Sequence, residues 1–364
     1  MSSAKRLPTV RKTDDASGRQ QISIDDLIRE QMKRGLDRQE YNPDNKVTVR
    51  LLRSSDWERI DPVVAESEQE EAFIKRVIEN GPERKLHLCR VEVLDELNAL
   101  LTKFPNFREV TTEIIGRYKI SLLGGAPLSL PVINLQGPPG IGKTTYVRAV
   151  AAALGQPFHD LKISQMMDKF ELAGMSKGWR GARPGKIARI LLEEEPKEGQ
   201  PVILFDELCM AKDTEDHSVI HPLYTLFDRD SAGHFRDLFM DLPMDTSFVL
   251  AFCTTNNLEA LRPALRSRLS SFHIEAPSRE EMRLLAQKMY RQLLERFNVK
   301  VHFPDLLSNA ILVRLTEGSI RDMKLNLERA VIRAVGESNG QERFRLRPEH
   351  VPSIQDRKRQ IGFI

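Results

Sequence analysis

The chain of 364 residues has 40% hydrophobic and 29% charged side chains, enough apolar material for two or three domains with their own cores. Its 55 basic and 52 acidic residues leave a net charge of +3, a balance that names no polyanionic partner and leaves nucleic-acid binding neither supported nor excluded. Cys89, Cys209 and Cys253 are odd in number and far apart, with no CxxC pair for a zinc site or redox motif, and a reducing, cytoplasmic setting fits best.

The first 46 residues read as a leader. "MSSAKRLPTVRKTDD" is basic but lacks the apolar stretch of a signal peptide, and no run in the chain approaches the roughly 18 apolar residues of a membrane span. Residues 1–20 are too polar to offset chain entropy, so disorder is expected there. "SIDDLIREQMKRG" follows as a short amphipathic helix: Ser23 and Asp26 have capping-box spacing, Leu27, Ile28 and Met32 share a face, and Gly35 stops it. It either packs on the body or serves as a docking peptide.

Residues 47–110 read as a mainly helical N-terminal region. "VTVRLL" is a short strand, "AESEQEEAFIKRVIENG" an acidic helix, and Leu86, Val93, Leu94, Leu97 and Leu101 recur at helical spacing. "LLGGAPLSLP" breaks the next helix after Ile120. From Val132 the pattern alternates: strand "VINLQ", a helix from Lys143, a strand near Phe158, a helix, strand "PVILF", a helix from about Glu215 and strand "SFVLAF". Such alternation predicts an α/β core with a parallel sheet flanked by helices, assigned to residues 111–277. Residues 278–364 are almost wholly helical, a smaller second domain with a basic then apolar tail, "RKRQIGFI".

"GPPGIGKTT" spans Gly137, Pro138, Pro139, Gly140, Ile141, Gly142, Lys143, Thr144 and Thr145, directly between a predicted strand and a predicted helix. It fits GxxxxGK[ST]: glycines let backbone N–H groups curl around phosphate oxygens, Lys143 reaches the β- and γ-phosphates, and the Thr144 hydroxyl can hold Mg²⁺. "PVILFDEL" ends a buried strand in Asp206, positioned for Mg²⁺ through water, and Glu207, positioned to polarise an attacking water. The glutamate predicts hydrolysis of ATP rather than binding alone. "SFVLAFCTTNN" places Asn256 to hold the γ-phosphate or that water. "KGWRGARPGKIARIL" sets Trp179, one of two tryptophans, in a loop too glycine-rich for a core helix.

In their order, the P-loop, the hhhhDE strand, the strand ending in TTN, "LRSR" and "GSIRDMK" resemble AAA+ ATPases over roughly residues 110–350. The resemblance implies a P-loop NTPase (AAA+) core followed by a helical lid, with Asn256 as sensor 1 and Arg321 as sensor 2. It also implies Arg268 as the arginine finger offered to a neighbouring subunit, with Arg266 as the alternative. "ELAGMSKGWRGARPGKIARIL" is similar to the aromatic-x-G-x-x-P-G-K segment of Lon-type ATPase modules, and "LFDRDSAGHFRDLFMDLPMDTSFVLAFCTTNN" to the stretch leading to sensor 1. That places Trp179 as a pore-loop residue gripping an extended polypeptide in the centre of a homo-oligomeric ring, by family a hexamer. The alternative is a Trp179 packed against neighbouring helices. Arg180 stands where such loops commonly carry an apolar residue, and with Arg183 it admits an acidic or nucleic-acid substrate. No Ser-Lys proteolytic domain follows before Ile364, so the expectation is an ATPase that is not itself a protease, with any proteolysis left to a separate partner.

The implied activity is Mg²⁺-dependent ATP hydrolysis coupled to unfolding or threading of a protein substrate. A nucleic-acid motor and a nucleotide-gated scaffold stand as rivals. His217 and His221 have i, i+4 spacing without the zincin glutamate and are read as non-metal residues; Cys209 and Cys253 are read as core.

Overall fold

The computed structural model describes residues 47–60, 68–214, 218–337 and 343–352. The expected leader helix, His217 and the basic tail lie outside the described residues. The described chain opens with β1 (Val47–Arg50), α1 (Glu68–Asn80) and β2 (Glu83–Leu86), the two strands forming an antiparallel ribbon. Leu86 thus ends a strand rather than opening a helix, and the helical spacing starts at α2 (Glu92–Lys103). Next comes α3 (Arg108–Leu123), which runs unbroken across the boundary expected after residue 110 and three residues past Ile120, because Val110, Thr111, Ile114 and Tyr118 are buried in one core with the sheet.

The sheet contains β3 (Val132–Gln136), followed by α4 (Lys143–Leu154), then β4 (Phe158–Lys162) and β5 (Val202–Asp206). The helix expected between β4 and β5 is reduced to single turns at Phe170–Ala173 and Lys186–Ala188, the latter widening into a π turn over Arg189–Glu193. The helix expected from about Glu215 is α5 (His221–Leu226); it starts late, with Pro222 at its first turn, where a missing N–H costs nothing. A hairpin absent from the sequence reading follows, β6 (Phe235–Asp237) and β7 (Leu242–Met244). The next strand is β8 (Leu250–Thr255), displaced towards Thr255 because Asp245 accepts from the Ser247 N–H and holds the preceding residues in a turn. β9 (Leu269–His273) was also not foreseen: "LSSFH" lies half exposed at the sheet edge and lacks the apolar run of a buried strand.

All five strands are parallel, in the order β4-β5-β8-β3-β9. The two-residue period of a strand divides the core. Val202, Leu204, Leu250 and Phe252 face α2, α3 and α4, whereas Ile203, Phe205, Ala251 and Cys253 face α1, α5 and the β6–β7 hairpin. A third core, including Met282, Tyr290, Ile311, Met323 and Leu327, joins α6 (Arg279–Arg296), α7 (Asn309–Leu315) and α8 (Ile320–Gly336). Capping boxes at Ser278/Glu281 and Ser319/Asp322 satisfy the first amides of α6 and α8. No helix among the described residues is long and apolar enough to cross a membrane.

Arg84 fastens the N-terminal ribbon to this frame. Only 1% exposed, it donates from Nε to Leu191 O (2.5 Å), from Nη2 to Leu192 O (3.0 Å), and from Nη1 to Gly81 O (2.8 Å) and Glu83 O (2.7 Å). Burial lowers its pKa to about 10, against a small opposing pull from Glu195, so it stays charged at neutral pH.

Candidate nucleotide site and aromatic loop

The loop between β3 and α4 needs its glycines. Gly140 and Gly142 have φ of +79° and +99°, and a Cβ on Gly137 would lie 2.3 Å from Ile274 O. Lys143 opens α4 and folds back into the loop, its Nζ 2.5 Å from Gly137 O, 3.0 Å from Pro138 O and 2.9 Å from Asn256 Oδ1. Burial lowers its pKa, while Asp206, Cys209 and Glu207 pull it upward. Lys143, Asn256 and the loop therefore meet at the carboxyl ends of β3 and β8, where a parallel sheet presents its ligand crevice.

Asp206 closes β5 and is buried; one carboxylate oxygen accepts from Thr254 Oγ1 and the other faces Thr144 Oγ1 at 3.5 Å. A hydroxyl and a carboxylate are hard oxygen donors of the kind Mg²⁺ takes. Glu207 is exposed, with the unusual positive φ of 59° for a residue bearing a side chain. Its N–H donates to Thr254 Oγ1 (2.8 Å) and its Oε2 accepts from Ser164 Oγ (2.6 Å), two bonds that hold the strained residue at the mouth of the site. Cys209 is half-buried and packs against the core on that face of the sheet, with its Sγ accepting from the Asn256 N–H at 3.4 Å; Cys253 is fully buried.

The C-terminal helical region meets the glycine-rich loop directly: a Cβ on Gly140 would lie 3.2 Å from Ser319 Cβ, the cap of α8. Arg321, in the first turn of that helix, is exposed. The two candidate fingers are engaged within their own chain. Arg268 donates to Ala264 O (2.6 Å), lies 3.8 Å from Asp228 and sits 5.6 Å over the Tyr224 ring, and its buried Nε has no hydrogen-bond partner. Arg266 pairs with Glu259.

Trp179 is 72% exposed, so it does not pack against neighbouring helices, and Arg180 and Arg183 are exposed beside it. The loop is narrowed at its base, where the Met175 N–H donates to Arg183 O (2.9 Å). Below that pair stands Asp237, fully buried, which accepts from the N–H groups of Gly185 (2.8 Å), Phe239 (3.0 Å) and Met240 (3.0 Å). A Cβ on Gly174 would lie 2.8 Å from both its oxygens, which explains glycine there. One carboxylate thus ties the aromatic loop to the tip of the β6–β7 hairpin.

Burial raises the Asp237 pKa to about 6 against 3.8, despite the three N–H donors and Arg189. The folded protein therefore binds this proton more tightly than the unfolded chain, and stability falls as pH rises from 3.8 to about 6, then levels. The stability gap between the wild type and Asp237→Asn is expected to be wider at pH 5 than at pH 7 by ~1 kcal/mol, measured by urea unfolding. An equal gap at both values would show that Asp237 titrates normally.

Sequence reasoning missed Lys162, Ser164, Thr254, Asp237 and Ser319. Lys162 and Ser164 could have been found only by knowing that β4 borders β5, since nothing in their local sequence marks them.

Residues 133–277 match the model of the AAA family, the ATPase family associated with various cellular activities. The chain is 27% identical over 201 residues to the peroxisomal Lon protease homolog 2 of Caenorhabditis briggsae, covering 55% of this chain and 26% of that protein. It is 31% identical over 158 residues to the Lon protease of Lawsonia intracellularis, covering 43% of this chain and 19% of that one. The match thus spans about a quarter or less of these relatives' length. The fold is similar to that of S. cerevisiae Hsp104 in its extended complex with casein, with a TM-score of 0.56 at 17% identity over 67% of this chain and 47% of the other. Residues 133–277 therefore match the AAA family of ATPases, in a chain that is similar over about half its length to the Lon proteases.

Proposed function

We propose that this protein assembles into a ring, hydrolyses ATP with Mg²⁺ and draws a polypeptide through the centre past Trp179. The observation that carries the threading step is the exposed Trp179 on a loop clamped at its neck by Asp237. A broad flat side chain can grip an extended chain without demanding a sequence, and a neck fixed to the core lets movement of the nucleotide site reach the tip. The similarity to Lon proteases and the fold shared with Hsp104, whose complex contains casein, favour a protein substrate.

In this reading the N–H groups of the phosphate loop and Lys143 bind the β- and γ-phosphates. Thr144 and Asp206 hold Mg²⁺, which supplies neutralisation of the phosphate charge when bound. Glu207 takes a proton from the attacking water, Asn256 orients it, and Arg321 reports the γ-phosphate to the lid. Arg268 serves the neighbouring subunit's site once its contacts with Ala264 and Asp228 are given up, and a hexamer is the assembly the resemblance implies.

The test measures ATP turnover alone, with an unfolded polypeptide and with single-stranded DNA. Stimulation by polypeptide is expected, and Trp179→Ala is expected to abolish that stimulation while basal turnover stays within about twofold, since an exposed side chain contributes little to stability. Stimulation by DNA alone, with a steep salt dependence, would replace threading of protein with the nucleic-acid reading, for which the exposed Arg180 and Arg183 would be the contacts. Stimulation that survives Trp179→Ala would end the threading reading.

A further inference from the structure

The parallel register sets Lys162, the last residue of β4, opposite Asp206 of β5, so the two side chains share a face of the sheet. The Lys162 ammonium contacts Asp206 Oδ2, the same oxygen that faces the Thr144 hydroxyl at 3.5 Å, and lies 3.0 Å from Asp160 Oδ2. A divalent cation bound between Thr144 and Asp206 would need that oxygen and would repel an ammonium resting on it. Asp160 offers the ammonium a second anchor, and its other oxygen, Oδ1, is buried with no hydrogen-bond partner.

We infer that Lys162 is a built-in counter-ion that competes with Mg²⁺ for Asp206 and sets how much free Mg²⁺ the protein needs before it holds nucleotide tightly. The inference rests on the Mg²⁺-nucleotide reading above. Binding of Mg²⁺ shifts Lys162 wholly onto Asp160, and release of Mg²⁺ returns it to Asp206. Nucleotide retention thereby requires more free Mg²⁺ than the phosphate loop alone would.

The test titrates Mg²⁺ into the full-length protein with a fluorescent, slowly hydrolysed ATP analogue and reads binding by anisotropy. Lys162→Met is expected to lower the Mg²⁺ concentration at half-saturation about tenfold, the scale of one charge-assisted hydrogen bond, with analogue affinity in EDTA unchanged. Asp160→Asn, which removes the second anchor and leaves Lys162 on Asp206, is expected to raise it several-fold. The opposite shifts keep the test decisive if one variant folds poorly, as judged by thermal melting without nucleotide. An unchanged midpoint in both variants overturns the inference while leaving the Mg²⁺ reading intact. Weaker binding of Lys162→Met in EDTA would make Lys162 a phosphate contact and also overturn it. Wild-type binding indifferent to Mg²⁺ would remove the reading and the inference together.

Discussion

Glu207→Gln is expected to lower ATP turnover by about 10²- to 10⁴-fold, the usual contribution of a positioned proton acceptor, while nucleotide affinity stays near that of the wild type. The substitution isolates one property. Glutamine has nearly the same volume and retains an oxygen able to accept from Ser164 Oγ, now at 2.6 Å from Glu207 Oε2. The backbone bond to Thr254 Oγ1 does not involve the side chain, so the positive φ of 59° should persist. Lys143, Thr144 and Asp206, the groups proposed to bind phosphate and cation, are untouched. Phosphate release and fluorescent nucleotide binding, measured on the same sample, check both halves. Retained turnover would assign the proton transfer to another group, and lost binding would mean that Glu207 supports the site rather than the chemical step.

Arg84→Met is expected to damage the fold severely, costing ~3–5 kcal/mol in unfolding free energy. Methionine can fill part of the volume but cannot donate, so Leu191 O, Gly81 O and Glu83 O lose the Arg84 donor and Leu192 O keeps only Asn80 Nδ2, in a site where Arg84 is 1% exposed. Two of these carbonyls close the π turn that follows the aromatic loop, so the loss reaches from the N-terminal ribbon into the core. Arg84→Lys should recover only part of the deficit, because one ammonium cannot direct donors to carbonyls on two sides as a planar guanidinium does. Denaturant unfolding of the three proteins tests the ranking. A methionine variant within ~1 kcal/mol of wild type would show that the carbonyls find other partners.

The nucleotide loop could be read directly from the chain because its chemistry is contiguous: glycines, lysine and threonine follow a strand and precede a helix within nine residues, Gly137 to Thr145. Asp206 and Asn256 were also legible, since each ends an apolar strand whose carboxyl end had to open onto the same crevice. The β9 strand was not, because an edge strand with one wet face carries no buried-strand pattern. Arg84 reads in sequence as one more surface charge, and Cys209 as one more apolar filler beside a strand.

Sequence alone determined the central parallel strands, the glycine-rich loop after β3, the carboxylates at the end of β5 and the presence of an unusual tryptophan loop. These rest on local periodicity and on neighbours in the chain, which need no fold to be defined. Tertiary structure alone decided that Lys162 sits on Asp206, 44 residues away, that Asp237 clamps Gly185, 52 residues away, and that Arg84 reaches Leu191 across 107 residues. Such pairings follow from strand order and from which buried polar groups must find a partner. That requirement acts only once the chain has closed around them.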